Sequence, residues 1–203
     1  VYERPGSQSV VIEGYLRAGA LAEVPEQGGL ANFTAVSLMR GSQQYSFDDI
    51  YEKLEAVGAE LGFSSGYHLT SFSAQSLAED ADLVLNLLAD VVRQPVFPEP
   101  LLNQLKGQII TGLQMRANDT QQMASEAFRQ LIYPNHPYGR SQNGTLQTVP
   151  SLTAADVQNF HTDFYGPRGM VICLVGALTP AQAMAKVSQV LGDWGKPNQQ
   201  PMP

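Results

Sequence analysis

Between Ser46 and Val91 the spacing of apolar residues changes from helical to alternating and back to helical, and this double change limits the possible folds sharply. Ser46 with Asp49 three residues later forms a variant capping box, and Ile50, Leu54 and Val57 follow at helical spacing up to Gly58, a C′ glycine. Ala59, Leu61 and Phe63 then alternate, Ser64-Ser65-Gly66 can turn, and Tyr67–Leu77 alternates again, which predicts a β-hairpin. Glu79-Asp80 supplies the acidic first turn of the next helix, whose apolar stripe is Ala81, Val84, Leu85, Leu88 and Val91. A hairpin set between amphipathic helices needs further strands beside it and a helical layer over one face.

Elsewhere, Ser9–Leu16 reads as a strand and is expected at a sheet edge. Gly28-Gly29 opens a helical stretch from Leu30 to Met39 that stops near Gly41. Pro95–Pro100 breaks the pattern. Leu102, Leu105, Ile109 and Leu113 mark a long helix to about Met115, and Thr120–Tyr133 forms another, with Met123, Phe128 and Leu131 among its apolar positions. Tyr133–Arg140 is loop. Thr153 with Asp156 repeats the capping variant ahead of Val157, Phe160 and Phe164; Met170–Ala177 is expected as a buried strand, and Pro180 introduces a helix over Ala181–Leu191. Too few strand–helix units alternate for a doubly wound parallel sheet. The expected class is α+β, a mostly antiparallel sheet covered by helices. Residues 1–192 are expected to form one unit and 193–203 an exposed C-terminal linker. Val1 in place of an initiating Met suggests a piece cut from a longer protein, and the compartment, cytoplasmic or periplasmic if the source is bacterial, stays open.

The chain carries 12 Lys and Arg against 19 Asp and Glu, a formal net charge of −7 over 203 residues, which argues against a nucleic-acid partner. Its longest apolar stretch, Met170–Val175, is far short of the roughly 18 residues of a membrane span. The single cysteine, Cys173, excludes an internal disulfide and a Cys-based zinc site, and reads as a packing residue. His68 falls in an alternating segment, His136 in a loop and His161 in a helix. None has a second His, Asp or Glu one helical turn on, so each reads as structural or surface. Gly28-Gly29 is followed by no basic residue before Arg40, which favours a plain turn over an anion site. The acidic groups Asp48-Asp49 and Glu79-Asp80-Asp82 fit helix starts. No nucleophile elbow or P-loop occurs.

Three segments together resemble the insulinase-like zinc peptidases, the family of pitrilysin and the mitochondrial processing peptidase. They are Ala18-Gly-Ala with Gly29-Leu-Ala-Asn-Phe-Thr-Ala-Val-Ser-Leu-Met-Arg-Gly-Ser42; Tyr133-Pro-Asn-His-Pro-Tyr-Gly-Arg140 with Asn143-Gly144 and Leu152-Thr153; and Phe160-His-Thr-Asp-Phe-Tyr-Gly-Pro-Arg-Gly-Met170 running into Val175-Gly176-Ala177. Their order and spacing match one repeat of that family over nearly the whole chain. In a catalytic repeat, the helix after Gly-Leu-Ala carries His-x-x-Glu-His, two zinc ligands and a general base. Here those positions are Asn32, Ala35 and Val36, and the third ligand, a Glu, would fall near Leu113.

The resemblance therefore implies a non-catalytic repeat with no catalytic residue, cofactor or metal of its own, and zinc in a separate catalytic repeat or subunit. Its implied partners are that catalytic repeat and the extended peptides enclosed between repeats. A non-proteolytic scaffold or core subunit is the alternative. Residues 100–118 contain no Asp or Glu. Replacing Asn32, Ala35 and Val36 by His, Glu and His together is thus expected to leave zinc weakly bound, and metal analysis after dialysis checks this.

Overall fold

The computed structural model describes all 203 residues. In chain order the strands are β1 (Tyr2–Glu3), β2 (Ser9–Leu16), β3 (Glu60–Ser65), β4 (Thr70–Leu77) and β5 (Val171–Gly176). The helices are α1 (Leu30–Ser37), α2 (Phe47–Ala56), α3 (Ala81–Arg93), α4 (Glu99–Arg116), α5 (Thr120–Ile132), α6 (Ala154–Phe164) and α7 (Pro180–Leu191). The sheet runs β1-β5-β2-β4-β3, antiparallel throughout except for the short β1–β5 pair. This is the α+β architecture that the alternating and helical segments imply.

Strand alternation sorts the sheet into two unlike faces. Val10, Ile12 and Leu16 of β2, Phe72 and Ala74 of β4 and Leu174 of β5 point to the helices and are buried in one contiguous core. Against them pack Phe33 and Leu38, Ile50 of α2, the broad apolar face of α3, Leu102 and Leu105 of α4, and Val157 and Phe160 of α6. On the opposite face Glu13, Ser71, Ser73, Val171 and Cys173 are exposed. Ser46 and Thr153 cap α2 and α6 in full capping boxes with Asp49 and Asp156, as their spacing predicts.

The structure corrects several local expectations. β2 is the central strand, not an edge, because β5 returns antiparallel along one side of it while β4 takes the other; the sheet ends at β1 and β3. The hairpin turns over Gly66–Leu69, later than Ser64–Gly66, since Ser65 still pairs with Thr70 and Gly66 N–H donates to Leu69 O. His68 therefore sits in the turn. Cys173 is exposed on the open face and β5 is only partly buried, because its alternation sends Leu174, not Cys173, under the helices. The segment 193–203 is not an exposed linker along its whole length. Trp194 joins the core, and Gln199 is buried, accepting from Arg168 N–H and donating to the carbonyls of Phe164 and Arg168.

Gly14 sits at the centre of the sheet, opposite both Phe72 and Ile172. A methyl group there would run into the Phe72 ring and the Val171 carbonyl. Gly14→Ala is expected to destabilise the protein by about 1–3 kcal/mol through overpacking, read as a lower midpoint in thermal or denaturant unfolding.

Candidate functional site

The segment with the strongest family signature begins at Gly29, whose φ of 94° suits a residue without a side chain. A Cβ there would also lie 2.7 Å from Gly144 Cα, so the 141–144 loop seats directly on the start of α1. Helix α1 has no capping side chain at its own N-cap. The carboxylate of Glu23 reaches in from six residues upstream instead, accepting from Gly29 N–H at 3.1 Å and from Ala31 N–H at 2.7 Å. Arg140 donates to the Glu23 backbone carbonyl at 3.1 Å, and Tyr67 donates to the Arg140 carbonyl at 2.8 Å. Thr148 closes the junction with a bond to Gly28 O at 2.6 Å. Loops distant in sequence thus converge on one helix N-terminus.

Within that frame Asn32, Ala35 and Val36 share one face of α1 through their i, i+3, i+4 spacing. Ala35 is fully buried, Val36 is half-buried against the core, and Asn32 is half-buried. Helix α4, which carries Leu113, packs against α1. The four side chains offer one amide and three hydrocarbon groups. Zinc takes imidazole, thiolate or carboxylate, so these residues do not fit the metal.

The histidines do not supply what is missing. His68 Nε2 and the Tyr138 hydroxyl lie 2.7 Å apart, and His136 Nδ1 accepts from Tyr138 N–H, so these two rings gather around Tyr138 near the surface. His161 is buried, with Nε2 2.8 Å from Val92 O and its ring between Phe97 and Tyr165. No three His, Cys, Asp or Glu side chains converge in a metal-binding group.

Residues 2–146 match the model of the insulinase family (peptidase family M16), and residues 151–203 match that of the peptidase M16 inactive domain. The chain belongs to the insulinase peptidase family. An uncharacterized zinc protease of Mycobacterium leprae is 25% identical over 93% of this chain and 42% of its own length. A probable mitochondrial-processing peptidase subunit beta of Arabidopsis thaliana is 23% identical over 91% of this chain and 35% of its own. Among solved structures, a peptidase M16 inactive domain from Pseudomonas fluorescens superposes with a TM-score of 0.89 at 26% identity, covering 98% of this chain and 48% of that one. The periplasmic protease PqqL of Escherichia coli shares the fold, with a TM-score of 0.87 at 19% identity over 99% of this chain and 24% of its own. The chain spans less than half the length of these curated relatives.

Glu23 is the residue that sequence reading passed over, since one acid in a short loop looks solvated. Burial pushes its carboxyl up from 4.5 to about 7, against the pull of the two N–H donors and the charge of Arg140. The native state then keeps a proton that the unfolded chain loses, so this group's stabilising contribution is full below pH 4.5 and is lost as pH rises to about 7. His161 acts oppositely. Burial lowers it from 6.5 to about 4, so its contribution is present above pH 6.5 and lost on acidification through that window. Glu23→Gln removes the first slope and one of the two acceptors. We expect a loss of about 1–3 kcal/mol and, in denaturant titrations across pH, a stability that falls more steeply on acidification below pH 6.5 than in the unsubstituted protein.

Proposed function

We propose that this chain is an inactive repeat of an insulinase-like zinc endopeptidase, packing against a catalytic repeat and lining the chamber that holds an extended peptide. The observation that carries this reading is the contrast at α1. Its N-terminal scaffold is complete, with Glu23, the Gly29–Gly144 contact and the Arg140 loop all in place, while the face meant for metal and base holds Asn32, Ala35 and Val36. A framework kept without its chemistry fits a role in shape and contact. Strand β3, packed beside α1, is a terminal strand with one row of backbone groups unpaired by any strand, and an extended peptide can add there. Zinc, in this reading, belongs to the catalytic repeat.

The test compares cleavage of long unstructured peptides by this chain alone, by the catalytic repeat alone and by the two together. We expect no cleavage by this chain, and substantial loss of activity when it is omitted. Cleavage by this chain alone refutes the reading. Full activity of the catalytic repeat without it moves the assignment to a non-proteolytic scaffold.

A further inference from the structure

Helices α4 and α5 and the 141–143 loop enclose a concavity of about 460 Å³, walled almost entirely by polar side chains apart from the Tyr67 ring. Two arginines line it. Arg129 of α5 is half-buried, its Nε is sealed from solvent without an acceptor, so a ligand in the concavity meets only its terminal N–H groups, and no carboxylate lies within 4.0 Å of it. Arg116 lies three residues after Leu113 on α4, on the same side of that helix. It donates to the Asn143 side-chain oxygen at 2.8 and 3.2 Å when that amide is turned toward it.

Two acids share the concavity, and neither serves Arg129. Asp119 caps α5, accepting from Gln121 N–H, Gln122 N–H and the Gln122 amide at 3.0–3.1 Å. Glu126 stands 3.9 Å from Arg116, the outer limit of an ion pair. A half-buried guanidinium has lost part of its hydration, and only an acceptor restores it.

We propose that this concavity is a carboxylate-binding subsite for the peptide, with Arg129 as principal cation and Arg116 as the second. The inference rests on the peptide-holding reading above. A guanidinium offers a planar fork that a carboxylate matches with two parallel bonds, and Ser141 lines the same space. The location suits a peptide lying along α1 and β3. The 141–144 loop rests on the α1 N-terminus, and Arg116 follows the Leu113 position by one turn. The carboxylate could come from a peptide C-terminus or from an Asp or Glu side chain.

Three labelled peptides sharing one unstructured core separate these sources in fluorescence-anisotropy titrations against the 203-residue chain. One has a free C-terminus and no acids, one is amidated with a single internal Glu, and one is amidated without acids. We expect at least one carboxylate peptide to bind about tenfold or more tighter than the third, and the tighter of the two names the source. Arg129→Met should erase the difference and Arg129→Lys restore part of it, with melting curves showing that both variants fold. Ser125→Glu, at an exposed position, should erase it by repulsion while leaving the guanidinium in place. Equal binding of all three peptides, or an undiminished preference in Arg129→Met and Ser125→Glu, overturns the subsite and leaves the peptide-holding reading standing. Binding of no peptide overturns it as well, and the cleavage comparison then decides the broader reading.

Discussion

A buried carboxylate at the start of α1 ties together segments that are far apart in sequence. Glu23 satisfies two of the N–H groups that any helix leaves unpaired at its N-terminus, and its backbone oxygen takes the Arg140 guanidinium. Through Arg140 and Tyr67 the same junction reaches the β3–β4 turn. Burying a carboxylate away from water is unfavourable in itself, which is why its proton affinity rises. The arrangement persists because the alternative, a buried helix end with orphan donors, is also unfavourable. It fixes the position of the family's motif helix independently of what that helix presents.

The second organising feature is the one-sidedness of the sheet. The apolar residues on one face of β2, β4 and β5 are drawn into a single core under the helices, while Glu13, Ser71, Ser73, Val171 and Cys173 on the other face are exposed. Helix α5 shows a related asymmetry. It buries no residue, and Phe128 and Leu131 are 62% and 79% exposed, so its amphipathic pattern alone does not bring it into the core. Held by its Asp119 cap and its packing on the 137–139 turn, it leaves the polar concavity open between itself and α4.

The fold was largely legible where local signals and global packing agree. The capping boxes at Ser46 and Thr153, the stripe of α3 and the alternation of β4 each act over a few residues and survive intact in the tertiary structure. The misplaced features depend on pairing between distant segments. Whether β2 is central or terminal is decided by β5, more than 150 residues later, and no pattern inside Ser9–Leu16 encodes it. Cys173 has the same origin, since the strand's register and not its apolar composition chooses the face.

The same division applies to the site. The sequence by itself determined which side chains stand at Asn32, Ala35 and Val36 and along the acid-free stretch from 100 to 118, because residue type is something no folding can alter. It also determined the family, since glycines, prolines and aromatic residues at fixed spacing record backbone turns. Only the tertiary structure decided which groups meet in space: the carboxylate of Glu23 at the start of α1, and Arg116 and Arg129 lining one concavity. Burial and electrostatic pairing depend on distances through space, and these are set when loops separated by a hundred residues come to rest on the same helix end.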